Sequence, residues 1–268
     1  MPRLTAPLSI AFAATLLLSG CGGSGDTQSS RDPSAASSST TSAPVAGTIT
    51  VFAAASLQGA FTTLGEQFEA AHKGTKVVFN FGPSSGLAEQ IGQGAPADVF
   101  ASASTATMDQ VVTAGDAADP TAFVSNTMQV AVPPDNPAGI KAVADLAKKG
   151  VKVALCQPEV PCGAAALKVF ENAKIQVTPV TEEVDVKATL SKVSLGEVDA
   201  GVVYVTDVLA AGDSVKGIEI PAEVNASTTY PIATLTASGN KPTAQAFVDY
   251  VLSSDGAAVL TEAGFSKP

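Results

Sequence analysis

The sequence predicts an α/β protein with an open, mostly parallel sheet. Short apolar, β-branched stretches alternate along the chain with helical patterns of about ten residues, which is typical of such sheets. Several of these strands also lead directly into a helix through a corner rich in serine and small residues. Ligands of open α/β sheets bind at the carboxyl ends of the strands, against helix N-termini. We therefore expect a binding site at these strand-to-helix corners.

The elements follow one another from Ile49 onward. The stretch Ile49–Gln67 is a short strand that turns into a helix, with Ser56 in the position of an N-cap. Further strands are expected at Lys76–Phe81, Ala97–Ser102, Phe123–Val132, Val151–Cys156, Gln176–Val180, Ala200–Val205 and Tyr230–Thr236. Further helices are expected at Ser84–Gln93, Thr105–Ala114, Ile140–Lys149, Gly163–Asn172, Val186–Leu195, Thr243–Leu252 and Gly256–Ala263, with one more that ends at Ala211.

The start of the chain carries signals for export and anchoring. An apolar run from Leu8 to Leu18 is too short to span a bilayer and has the proportions of a signal peptide, which we assign to residues 1–20. It ends in LSGC, which resembles a bacterial lipobox, so we expect Cys21 to be lipidated and to tether the chain outside the cell membrane. An unpaired structural thiol at Cys21 is the alternative. Residues 21–46 are rich in Ser and Thr, which predicts a disordered tether.

Composition excludes several classes of function. The net charge of −10 argues against nucleic acid as a partner. The single histidine, His72, leaves little for imidazole metal sites or catalytic triads, and the sequence has no G-x-S-x-G elbow of an α/β hydrolase. We therefore expect a protein without enzymatic activity and without a cofactor. A surface adhesion or scaffold module is the alternative that composition leaves open.

Two serine-bearing corners stand out as anion-binding candidates. Ser56 follows the first strand, and Ser84 or Ser85 opens the helix after the second. A serine hydroxyl beside the free N–H groups of a helix start can hold an anion without a charged side chain. Each corner alone is consistent with an ordinary N-cap, but corners that follow consecutive strands of one sheet converge on one crevice.

Five motifs resemble the molybdate-binding proteins of bacterial ABC importers. They are FAAASL (Phe52–Leu57), SSGLAEQI (Ser84–Ile91), GAPADVF (Gly94–Phe100), VPCG (Val160–Gly163) and AGVVYVTD (Ala200–Asp207). The resemblance implies a periplasmic-binding-protein-like fold, with two lobes that are joined by two crossing segments and close over a tetrahedral oxyanion. The lobes would be residues 47–126 plus 236–268 and residues 127–235, with crossings near Thr127–Val130 and Tyr230–Leu235.

The resemblance also implies five uncharged donors to the oxyanion. Ser56 would give its hydroxyl and its backbone N–H group, and Ser84 a hydroxyl, with Ser85 as the alternate for Ser84. Cys162 and Val186 would give backbone N–H groups, and Tyr204 its phenol. The ligand would be molybdate or tungstate, held through its oxygens with no side chain on the metal, and sulfate is the alternative cargo. The protein would be a monomer that delivers its ligand to a membrane-embedded ABC permease with its ATPase.

The remaining cysteines predict a disulfide. Cys156 and Cys162 flank the loop Gln157–Pro161 between a strand and a helix. Because the compartment outside the membrane is oxidising, we expect the two thiols to be joined, which would stiffen the backbone at Cys162. Free thiols are the alternative.

Overall fold

The computed structural model describes residues 44–268. The predicted signal peptide at residues 1–20, the lipidation site Cys21 and nearly all of the 21–46 tether lie outside this range. Among the described helices, none combines the length and the apolar character that crossing a membrane requires.

Strands and helices alternate along the described residues. The strands are β1 (Gly47–Ala54), β2 (Thr75–Gly82), β3 (Val99–Ala101), β4 (Thr121–Val132), β5 (Val153–Cys156), β6 (Thr181–Glu183), β7 (Ala200–Tyr204), β8 (Lys216–Glu219) and β9 (Ser227–Thr234). The helices are α1 (Gln58–Ala71), α2 (Ser84–Gly92), α3 (Thr105–Thr113), α4 (Pro161–Ala173), α5 (Val186–Ser194), α6 (Val205–Ala211), α7 (Lys241–Leu252) and α8 (Ser254–Glu262). This pattern confirms the predicted α/β class.

The strands form one continuous sheet in the order β2-β1-β3-β9-β4-β7-β5-β6, with β8 paired to β4. Two groups within it are parallel, since β1 pairs with β2 and β3, and β5 pairs with β6 and β7. The long strand β4 joins the groups through antiparallel pairs. Its first half, to Thr127, pairs with β9, and its second half, from Met128, pairs with β7 and β8.

Two of the three clusters of buried side chains among the described residues follow the same division as the pairing of β4. On one side, Phe61 and Phe68 of α1 pack edge-to-face against Phe247 of α7, beneath β1, β3 and the later part of β9. On the other side, residues between Met128 and Ile220 form a separate core that α4 and α5 cover. Ala55, from the turn after β1, also packs in this core. The predicted lobe boundaries at 126/127 and 235/236 stay a prediction.

Two of the predicted elements were wrong in detail, and one strand was missed. The helix predicted at Ile140–Lys149 is only a 3₁₀ turn at Val143–Ala147. There the carboxylate of Asp145 accepts hydrogen bonds from the N–H groups of Lys141 and Ala142, which holds the preceding residues outside a helix. The strand predicted at Gln176–Val180 is irregular, and the strand at this place is β6 instead. The short strand β8 was missed, because its KGIE sequence has polar residues and a glycine in place of an apolar alternation.

Candidate functional site

One cavity gathers all five predicted donors. Ser56, Ser84, Cys162, Val186 and Tyr204 line it together with neighbours on the same corners. They come from five separate places in the sequence: the turn after β1, the starts of α2, α4 and α5, and the last residue of β7. The structure thus brings together every residue that was predicted for the site, at the carboxyl ends of strands.

The cavity is small. Its volume is about 20 Å³, whereas one water molecule needs about 10–15 Å³ on the same measure. It therefore suits a compact ion of a few atoms, and it has no room for a sugar or a nucleotide without a change in the surrounding structure.

Three helices of nine or more residues begin at the cavity. Ser84 is the first residue of α2, Cys162 is the second residue of α4, and Val186 is the first residue of α5. The N–H groups of a first helical turn have no partner within the helix, and they lie at the positive end of the helix dipole. Within the described residues, no side chain caps the start of α2 or α4. Their N–H groups can therefore bind an anion.

Ser56 does not act as the predicted N-cap. A 3₁₀ turn at Ala55–Leu57 separates β1 from α1, and no side chain among the described residues caps either element. The Ser56 hydroxyl is buried and forms a hydrogen bond of 2.9 Å with the hydroxyl of Tyr230 on β9. The residue still lines the cavity, so its placement agrees with the predicted site although its local role differs.

Ser84, and not its alternate Ser85, lines the cavity. Only 1% of Ser84 is exposed to solvent, and its Oγ accepts a hydrogen bond of 3.0 Å from the N–H group of Ala103. An oxygen that already accepts this bond still carries a hydrogen that it can donate. Ser84 is therefore placed to donate to a ligand.

Tyr204 offers a buried phenol without a partner. The residue is 1% exposed, and no hydrogen-bond partner for its hydroxyl exists within residues 44–268. Burial raises the pKa of the Tyr204 phenol well above its usual range, so the hydroxyl keeps its proton and remains a donor. A buried polar group without a partner costs about 1–3 kcal/mol, and a bound acceptor would remove this cost.

The cavity wall has little net charge. Among its lining residues in the described part of the chain, none is a lysine or an arginine, and the one acidic residue is Asp185. The Asp185 carboxylate accepts a hydrogen bond of 2.8 Å from the N–H group of Ala188 and so caps α5. Behind the wall, the ammonium of Lys187 lies 2.9 Å from the buried carboxylate of Asp207, which neutralises both charges. Burial raises the pKa of Asp207 in spite of this ammonium.

A disulfide joins Cys156 at the end of β5 to Cys162 at the start of α4. This is the pairing that the sequence predicts. The enclosed loop is tightly folded, since a Cβ atom on Gly163 would lie 1.9 Å from the carbonyl oxygen of Gln157. Only glycine fits there, so Gly163 and the disulfide together fix the backbone that carries the Cys162 N–H group.

The sequence reasoning did not identify Tyr230 as part of this site. Tyr230 was predicted only as the first residue of a late strand and of a crossing segment, and its contact with Ser56 spans 174 positions of the chain. The carboxylates at Glu182, Glu183 and Asp185 do not form a metal site, because no group of three potential ligands is close enough to hold an ion within the described range.

Comparisons with known proteins give a consistent result. A model of the family described as bacterial extracellular solute-binding protein matches residues 49–266. The molybdate-binding protein ModA of Mycobacterium tuberculosis H37Rv is 45% identical over 221 residues, which are 82% of this chain and 85% of that protein. The protein of the same name from Escherichia coli K12 is 33% identical over 82% of this chain and 89% of its own length. Among solved structures, the periplasmic molybdate-binding protein of Azotobacter vinelandii matches with a TM-score of 0.73 at 21% identity, over 82% of this chain and 99% of that one, which shows a shared fold.

Proposed function

Because the chain belongs to the family of bacterial extracellular solute-binding proteins, we propose that it captures molybdate outside the cell membrane and delivers it to an ABC permease. The observation that carries this proposal is the single small cavity lined by Ser56, Ser84, Cys162, Val186 and Tyr204. Three hydroxyl groups and the starts of three helices line a compact volume there. Such a set, in which each group has a hydrogen to donate, suits a fully deprotonated oxyanion.

Neutral donors can hold a dianion when enough of them surround it. A hydrogen bond to a charged group contributes about 1.5–3 kcal/mol. Several such bonds, with three helix N-termini directed at the ion, can offset the cost of removing the ion from water. The negative net charge of the chain opposes this only weakly, since salt screens distant charges.

The same features account for selectivity. Tungstate has nearly the size and the charge of molybdate, so it should bind as well. Sulfate has the same charge and shape but is smaller, so the cavity distinguishes it by the fit of the donors. Protonated phosphate carries a hydrogen that needs an acceptor, so it should bind less well to groups that are arranged to donate.

The cellular role follows from the start of the sequence and from the family. We propose that the LSGC motif is cleaved and that a lipid on Cys21 anchors the protein to the outer face of the cell membrane. The protein would act as a monomer, and it would close over its ligand and release it to the permease without catalysing a reaction.

Thermal unfolding in the presence of oxyanions tests this function. Ligand at a thousandfold excess over its dissociation constant stabilises a protein by about 4 kcal/mol, so molybdate and tungstate should raise the unfolding temperature of the purified protein. Ser84→Ala should reduce this shift, and Ser85→Ala is the matched control, because Ser85 adjoins the cavity wall without lining it. A shift with sulfate alone would change the cargo, and no shift with molybdate, tungstate, sulfate or phosphate would refute transport of such ions.

A further inference from the structure

A second tyrosine lies directly behind the proposed donors. Tyr230 on β9 is fully buried and is not part of the cavity lining, yet its hydroxyl is 2.9 Å from the Oγ of Ser56. Its ring is held by edge-to-face contacts with Tyr204 at 6.1 Å and Phe265 at 5.4 Å between ring centroids. A hydroxyl on so firmly packed a ring has one fixed position, and that position is next to a predicted ligand group.

The direction of the Ser56–Tyr230 hydrogen bond decides whether the Ser56 hydroxyl can donate to an anion. If Ser56 donates its hydrogen to Tyr230, that hydrogen is not available for a ligand. If Tyr230 donates to Ser56, the Ser56 hydrogen is free to point into the cavity. A phenol is the more acidic of the two hydroxyls and therefore the better donor. Burial also raises the pKa of Tyr230, so its proton is retained.

We propose that Tyr230 is a positioning residue for oxyanion binding: its hydroxyl donates to the Oγ of Ser56, and this directs the Ser56 hydrogen to the ligand. In the bound state, a chain of hydrogen bonds then runs from Tyr230 through Ser56 to an oxyanion oxygen. Hydrogen bonds in such a chain polarise and strengthen one another. Tyr230 itself does not touch the ligand.

This inference rests on the proposed function, and it places a residue that supports the site on β9, which pairs with β3 and with the first half of β4. Tyr230 pairs with Val124 of β4, and β9 continues to Ala101 of β3 through Ile232. Ser56 instead lies in the turn after β1. The hydrogen bond therefore joins Ser56, in the turn after β1, to a strand from a distant part of the chain.

A double-mutant cycle in the purified protein tests the proposal. Calorimetry would measure the dissociation constants of molybdate for wild type, Tyr230→Phe, Ser56→Ala and the double variant. Tyr230→Phe keeps the packed ring and removes one oxygen atom, and it should weaken binding by about 10-fold, as expected for one hydrogen bond. Ser56→Ala should also weaken binding, and adding Tyr230→Phe to it should cause no further loss, because Tyr230 acts only through Ser56.

Tyr250→Phe is the matched control. The Tyr250 hydroxyl bonds to Gln67 on the surface at 2.8 Å, so its removal should leave the affinity unchanged. Unchanged affinity in Tyr230→Phe would overturn the proposal, and so would losses that add in the double variant. Unfolding in urea without ligand would identify a general loss of structure. If Tyr230→Phe shows such a loss, the proposal is judged by whether Tyr230→Phe weakens binding further in the Ser56→Ala protein. A wild type that binds no oxyanion would instead refute the proposed function and this inference with it.

Discussion

Replacing Tyr204 with phenylalanine should change ligand binding and stability in different directions. The substitution removes a hydroxyl that is buried and lacks a partner within residues 44–268. A buried hydroxyl without a partner costs about 1–3 kcal/mol, so the ligand-free variant should unfold at the same or a higher urea concentration than wild type. The bound state, in contrast, should lose a hydrogen bond to a charged acceptor worth about 1.5–3 kcal/mol. The affinity for molybdate should therefore fall by about 10- to 150-fold.

Two measurements on the same preparation test this prediction. Calorimetry gives the dissociation constant, and urea unfolding without ligand gives the stability. Tyr250→Phe serves as the control, since it removes a surface hydroxyl that does not line the cavity and should change neither quantity. An unchanged affinity in Tyr204→Phe, or a ligand-free variant destabilised by more than about 1 kcal/mol, would refute the idea that this phenol has no partner until it donates to a ligand.

Three further predictions concern the frame around the site. Replacing Cys156 and Cys162 together with alanine should cost about 2 kcal/mol of stability in urea unfolding, by the loop-closure relation for so short a loop, and a reductant should then have no effect on the double variant. Gly163→Ala should lower the free energy of unfolding by about 1–3 kcal/mol and weaken molybdate binding, because its Cβ would clash with the carbonyl oxygen of Gln157. Gly92→Ala is the control, because a Cβ there meets nothing within 4 Å. Equal stability of the two variants would contradict the prediction. Asp145→Asn should be less stable than wild type at neutral pH. Hydrogen bonding to Lys148 lowers the pKa of Asp145 from 3.8 to about 2, so the stability that the ionised carboxylate contributes is present above pH 3.8 and is lost as the pH falls toward 2. A difference in stability between wild type and Asp145→Asn that does not shrink in acid would refute this prediction.

The local character of the elements made most of the fold predictable. A few consecutive residues are enough to predict each strand-to-helix corner, such as the apolar strand before Ser56 or the GPSSG turn before Leu87. Parallel strands place their carboxyl ends together, so corners found separately could be expected to meet in one site. This accounts for Ser56 with Ser84, and for Cys162 with Val186 and Tyr204, because each set follows strands that are parallel to one another. The two sets line one cavity although antiparallel strands join the two groups.

The features that the sequence did not reveal depend on contacts between distant residues or on competing local bonds. The hydrogen bond between Ser56 and Tyr230 has no local signature, because any tyrosine in an apolar strand looks the same in sequence. The N-cap predicted at Ser56 was wrong, because the residue lies in a 3₁₀ turn and its hydroxyl forms a hydrogen bond with Tyr230. The helix predicted after Ile140 failed because the Asp145 side chain bonds to the backbone N–H groups ahead of it.

A crystal structure grown with molybdate, with diffraction measured on both sides of the molybdenum absorption edge, would test the proposed site most directly. We expect one strong anomalous peak in the cavity. Its oxygen atoms should lie within hydrogen-bond distance of the hydroxyls of Ser56, Ser84 and Tyr204 and of the N–H groups of Cys162 and Val186. An ordered molybdate elsewhere on the protein, or one in the cavity that these groups do not contact, would contradict the account.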